Sequence, residues 1–156
     1  MKKQITRTFA IVAALIALAG STVTYAQATR RVVVDIPFEF TAGAERMPAG
    51  RYTVSKMVRD SESALVLRSE DGSASVVVLT NAAEAGRGRA ALTFRLYAGD
   101  QYFLSRVWIP GTAAVRSLPQ SAREKRLRRE LRAKSEGRPS DGADGAKTIT
   151  VTGELN

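Results

Sequence analysis

Between Arg31 and Trp108 the apolar residues recur with a period of two, in short runs separated by turn residues. That is the period of a strand, whose alternate side chains point to opposite faces. Val32, Val34 and Ile36, then Phe38 and Phe40, form the first run, interrupted by Pro37. Proline has no N–H, so it suits an edge strand or a bulge. Met47-Pro48-Ala49-Gly50 reads as a turn. Arg51 to Val58 follows, with Tyr52, Val54 and Lys56 on one face. Ala64 to Arg68 and Ser75 to Thr80 flank Asp71-Gly72, the dipeptide of a two-residue type I′ hairpin with φ > 0 at both positions. Val76-Val77-Val78-Leu79 is continuously apolar, the pattern of a strand covered on both faces. Asn81 to Arg89 reads as a loop rich in Ala and Gly. Ala91 to Tyr97 puts Leu92, Phe94 and Leu96 on one face. After a Gly99-Asp100 turn, Tyr102, Leu104, Arg106 and Trp108 share one face, and Phe103, Ser105, Val107 and Ile109 share the other.

This pattern predicts an all-β fold, an antiparallel β-sandwich or small barrel of about six to seven strands with a C-terminal basic α-helix. The organisation changes at Pro119. Ser121-Ala122-Arg123-Glu124 is a capping box, in which the Ser121 hydroxyl caps the Glu124 N–H and the Glu124 carboxylate reaches back to the Ser121 N–H. Glu124/Arg128 and Glu130/Lys134 are favourable i,i+4 pairs, so Ala122 to about Ser135 is expected to be helical. Its clear apolar stripe is Leu127 with Leu131, which predicts a helix lying on the surface or projecting from it. Gly137 to Gly145 has the composition of a flexible linker. Thr148-Ile149-Thr150-Val151-Thr152 then alternates like a strand.

The N-terminus carries an address. Lys2, Lys3 and Arg7 precede the unbroken apolar run Phe9 to Ala19, and small residues follow. These are the three regions of a secretory signal peptide, with cleavage before Gln27 or before Thr29. The apolar run is shorter than the roughly 20 residues needed to span a bilayer. The expected organisation is therefore a signal peptide at 1–28, a β-sandwich domain at 29–118, a basic helix at 119–136 and a flexible linker and tail at 137–156. The expected location is secreted or periplasmic.

The 156-residue chain has no cysteine and no histidine. Without cysteine there is no disulfide and no lipid-bearing lipobox, so an apolar core must hold the fold. Without either residue the commonest zinc sites, the Ser-His-Asp and Cys-His nucleophile systems and the usual neutral-pH general base are excluded. The net charge of +9 is unevenly spread: residues 1–28 contribute +3, residues 29–120 contribute +3, residues 121–138 contribute +5 and residues 139–156 contribute −2.

Several segments stand out as a set: Val34-Asp35-Ile36-Pro37-Phe38-Glu39-Phe40, Pro48-Ala49-Gly50-Arg51-Tyr52, Arg68-Ser69-Glu70-Asp71-Gly72, Gly99-Asp100-Gln101-Tyr102-Phe103-Leu104-Ser105, Val107-Trp108 and Leu118-Pro119. With the signal peptide before them and the basic helix after, the chain resembles a group of small, uncharacterised secreted proteins common in acidobacterial genomes. The resemblance covers roughly residues 30 to 132 and implies class and location, without an activity. Met47 stands where that pattern has Leu, and the tail from Gly137 to Asn156 lies outside it.

Candidate chemistry is sparse. Asp60/Glu62 and Glu70/Asp71 are the close carboxylate pairs, and such pairs perform glycoside hydrolysis when held across a cleft. Both fall at turns, where Asp has a local backbone role. Asp35 and Glu39 read as outward-facing. Gly86-Arg87-Gly88-Arg89 lacks the Lys-Ser/Thr and helix of a phosphate loop. Tyr52, Tyr97, Tyr102, Phe103 and Trp108 are either an aromatic platform for a sugar or peptide or the filling of a β core.

The basic helix remains as the candidate binding site. Arg123, Lys125, Arg126, Arg128, Arg129, Arg132 and Lys134 are spread around it, and guanidinium forks bind phosphate or carboxylate in pairs of hydrogen bonds. The expectation is a non-enzymatic β-module, without cofactor or metal, that binds an anionic polymer or envelope component through this helix. The competing readings are a simple solvated helix, a carboxylate-based enzyme on polysaccharide, and a structural subunit that assembles by adding its C-terminal segment to another sheet.

Overall fold

A computed structural model describes residues 30–135 and 146–156. The expected signal peptide lies outside the described residues. The chain is mostly strand, with one helix: β1 (Arg31–Ile36), β2 (Phe40–Ala42), β3 (Glu45–Met47), β4 (Gly50–Val58), β5 (Ser61–Ser69), β6 (Ser75–Leu79), β7 (Asn81–Ala82), β8 (Ala91–Tyr97), β9 (Gln101–Trp108), β10 (Arg116–Ser117), α1 (Ala122–Ser135), β11 (Lys147–Thr152) and β12 (Glu154–Leu155). Twelve strands among the described residues exceed the expected six to seven, because short pieces such as β7 and β10 pair where the sequence reads as loop.

The strands form two sheets, one in the order β12-β1-β4-β5-β6 and the other β11-β8-β9-β10-β7, with the β2–β3 hairpin joined to β9. Pairing is antiparallel except for β2 with β9, where Phe40 faces Tyr102 in parallel register. Pro37 lies between β1 and β2, where the chain leaves the first sheet for the second. Losing an N–H costs nothing at such a crossing.

One apolar core collects alternate residues of both sheets. Val32, Val34, Tyr52, Val54, Leu65, Leu67, Val76 and Val78 come from the first, and Phe40, Met47, Leu92, Phe94, Leu104 and Val107 from the second. Phe40 joins them edge-on, with centroids 5.3 Å from both Tyr52 and Phe94. Two sheets around a common core are compatible with the expected sandwich or small barrel.

Four local expectations are corrected. Val76 to Leu79 is not covered on both faces: Val76 and Val78 are buried, whereas Val77 and Leu79 are exposed. The run is apolar on its outer face without being covered there. Asp71-Gly72 is not a two-residue turn. Only Gly72 has positive φ (73°), and five residues connect β5 to β6. The left-handed pair occurs instead at Gly99 (φ 76°) and Asp100 (φ 53°). Strict alternation also fails along β9. Thr93 faces Arg106 but Phe94 faces Leu104, so Ser105 is an extra residue. This bulge moves Val107 onto the core face with Leu104 and turns Trp108 away. Ser105 stays satisfied: its hydroxyl donates to the Thr93 carbonyl (2.8 Å), and its carbonyl accepts from the Leu118 N–H (2.8 Å).

The fourth correction concerns the C-terminus. The helix is followed by strands, so it is not terminal, and residues 147–155 are not a flexible tail. β11 pairs with β8 over six residues, Lys147 opposite Leu96 through Thr152 opposite Ala91. β12 pairs with β1. One closing segment therefore edges both sheets. The linker composition at 137–145 lies outside the described residues.

Candidate functional site

The helix starts as its sequence dictates. The Glu124 N–H donates to the Ser121 hydroxyl (3.2 Å), which is the first half of the expected capping box. The second half is replaced. The Glu124 carboxylate turns to the outer face of β8, accepting from Arg95 Nε, from Arg95 Nη2 (3.0 Å) and from the Tyr97 hydroxyl (3.0 Å). Glu124 is only 1% exposed. A carboxylate so far from water is tolerable only when charge-paired and hydrogen-bonded, as it is here.

The clamp decides which side of the helix is exposed. Glu124 is buried, and Leu127, Arg128 and Leu131 are half-buried. These four residues stand at i, i+3, i+4 and i+7, a continuous stripe of one helix face. The helix lies on the surface, docked by a charged anchor together with two leucines. Of the seven cationic residues singled out from sequence, Arg128 belongs to this docked stripe. Arg123, Lys125, Arg126, Arg129, Arg132 and Lys134 are exposed. Lys125, Arg129 and Arg132 follow at i, i+4 and i+7, with Arg126 beside them, so they form a cationic flank facing away from the sheet.

Tyr97 reports the electrostatics beneath the helix. Burial pushes its phenol up to about 12; the Glu124 charge and hydrogen bond add to this, and Arg95 and Arg128 oppose it. Tyr97 also meets Phe103 edge-on at 5.6 Å. The five aromatic residues considered as a platform are therefore dispersed. Tyr52 is in the core, Tyr97 and Phe103 pair on the face that carries α1, and Tyr102 stacks on Phe38 at 3.8 Å. Trp108 lies under the loop before β8, donating its indole N–H to the Gly88 carbonyl at 3.2 Å.

Glu62, Glu70 and Asp71 of the two carboxylate pairs are engaged locally. Glu62 pairs with Lys56 (3.2 Å) and lies 4.0 Å from the buried Arg116, which itself donates to the Thr80 hydroxyl and carbonyl. Glu70 pairs with Arg51 at 3.7 Å. Asp71 accepts from the Ser73 N–H (3.0 Å) and hydroxyl (2.8 Å), and hydrogen bonds from Ser69 and Ser73 hold its carboxyl below the usual value. Glu39 pairs with Arg46 at 2.6 Å, and Asp35 is exposed as expected.

The segments at 48–52 and 68–72 meet in space. The Glu70 N–H donates to the Arg51 carbonyl (2.8 Å), and the Tyr52 hydroxyl donates to the Pro48 carbonyl (2.6 Å). They line an open crevice of about 330 Å³. Among the described residues no group of three or more carboxylates is placed to hold a metal ion, and no helix is long and apolar enough to cross a membrane. Comparison with protein-family models, curated proteins and solved structures gives no match to this chain.

Sequence reasoning missed Arg95, the burial of Glu124 and the bond of Tyr97 to it. The capping box offered Glu124 a sufficient local role. The signal that identifies it is the helical spacing of Glu124 with Leu127 and Leu131, taken together with Arg95 and Tyr97 on one face of β8.

Proposed function

We propose that this chain is a secreted or periplasmic β-sandwich module, not an enzyme, that binds anionic envelope or extracellular polymers through the exposed flank of α1. One observation carries the reading: Lys125, Arg126, Arg129 and Arg132 are exposed on a helix whose opposite face is anchored to β8 by Glu124. An anchored helix presents its cations without first having to be ordered, so less conformational entropy is lost on binding. The engagement of Glu62, Glu70 and Asp71 in local hydrogen bonds and ion pairs supports the non-enzymatic reading. Kinship with the acidobacterial group belongs to the same proposal and rests on the shared segments.

The test is titration against immobilised lipopolysaccharide, acidic polysaccharide and duplex DNA at two salt concentrations. Binding should weaken steeply with salt. The triple variant Lys125→Gln/Arg126→Gln/Arg129→Gln spares Arg128 and keeps helix propensity nearly constant. On DNA the slope of log K against log salt should flatten by about 0.9 for each phosphate that is no longer neutralised. Equal, negligible binding by both proteins would refute the proposal. The address is tested separately. Mass spectrometry of the protein from its native cells should find Gln27 or Thr29 at the N-terminus, and a retained Met1 would overturn it.

A further inference from the structure

β6 is the last strand of its sheet. Its register with β5, together with the Thr80 N–H to Ser63 carbonyl and Ser69 N–H to Ala74 carbonyl bonds, directs the backbone groups of Val76 and Val78 toward β5. In an antiparallel ladder these groups alternate in direction. Those of Ser75, Val77 and Leu79 therefore face the open edge. Val77 and Leu79 are 49% and 71% exposed, and half-buried Val66 and Ala64 stand beside them on β5.

Open edges are usually blunted by charge, proline, a bulge or shortness. The other edges here follow that rule. β7 and β12 have two residues each, β3 carries Glu45 and Arg46 in three, and β11 carries Lys147. β6 has five regularly paired residues, and no charge or proline occurs from Ala74 through Ala83.

We infer that β6 pairs with β6 of a second copy of this chain, antiparallel about a two-fold axis through Val77. The strand is self-complementary in that register. Val77 faces Val77 of the second copy, and Ser75 faces its Leu79, so every outward backbone group meets another outward group. Val76 and Val78 meet across the axis on the core side. On the outer face the row Val66-Val77 continues into Val77 and Val66 of the second copy, forming one valine ridge. Two positively charged chains approach here without opposing like charges, because the strip itself is neutral; an oppositely charged partner would find nothing to pair with. The closing segment is itself engaged in the fold, with β11 paired to its own β8.

Sedimentation of the purified protein over a dilution series should show a dimer dissociating to monomer. Val77→Lys should give a monomer with an unchanged far-UV spectrum. A dimer that survives this change overturns the inference, as does a wild-type protein that is monomeric at every concentration. Because the chain has no cysteine, Val77→Cys gives a second, independent reading. Directly opposed residues of a hydrogen-bonded antiparallel pair have Cα atoms about 5.5 Å apart, within disulfide reach. Oxidation should cross-link Val77→Cys rapidly and Leu79→Cys slowly. Equal rates would overturn the register. A monomer that instead adds a foreign extended peptide at β6 would replace the second copy with a different partner and likewise overturn it.

Discussion

Glu124, in the first turn of α1, and Arg95, in the middle of β8, are joined by a two-pronged ion pair that ties the helix to the second sheet. Tyr97 adds a third donor from the same strand face. The pair is the hinge of the functional reading, because it decides which cations of α1 face the sheet and which face outward.

Removing one partner of this pair should loosen the helix. Glu124→Ala leaves Arg95 with an unpaired, mostly buried guanidinium, and loss of one member of a buried pair typically costs about 3 kcal/mol. Tyr97→Phe removes a single hydrogen bond to a charged acceptor and should cost about 1.5 kcal/mol. Urea midpoints of the two variants should rank in that order. Equal, negligible shifts would mean that the helix is not held by this contact.

Stability should fall at high pH through Tyr97. Its phenol titrates near 12 in the folded protein against an ordinary value of 10.0. The folded state therefore holds the proton more tightly. The contribution is complete below pH 10 and is lost as pH rises from there through about 12. Denaturation midpoints should drop across this window in the wild type and less in Tyr97→Phe.

Gly86 should not tolerate a side chain. A Cβ built there would lie 1.9 Å from the Trp108 ring. Gly86→Ala must lift the loop or displace the indole, at a cost of about 1–3 kcal/mol. Trp108 is the sole tryptophan, so its fluorescence should shift to the red as it meets water. With Trp108→Leu in the background the cost of Gly86→Ala should shrink.

Gly72→Val should destabilise the β5–β6 connection. Gly72 has φ 73°, and an L-residue in the left-handed region costs about 1–2 kcal/mol, with β-branching adding to it. Thermal melting should register the loss. An unchanged midpoint would mean that the left-handed conformation at this position is dispensable.

Much of the β body was legible because alternation is local. Tyr52 and Val54, and Leu92 and Phe94, fell on core faces through nothing more than a period of two in strands that lie flat. β9 defeated the same reasoning. An extra Ser105 carries no mark in a run of mixed residues, so everything beyond it changed face. Val77 and Leu79 misled it differently: apolar character says what burial would favour, not whether another strand is present to provide it.

The sequence by itself determined the strand-rich body, the turns at Gly and Pro, the helix beginning at Ser121 and the concentration of cations within it. Each depends on contacts within a few residues. Tertiary structure alone decided that Glu124 faces Arg95 rather than the backbone of Ser121, that Arg128 lies on the docked side, and that Lys147–Thr152 closes against β8. These contacts join residues distant along the chain. A carboxylate at a helix start reads the same whether it caps its own backbone or is buried against a guanidinium from another element. Only the packing of the helix on the sheet, which removes water from that carboxylate, separates the two outcomes.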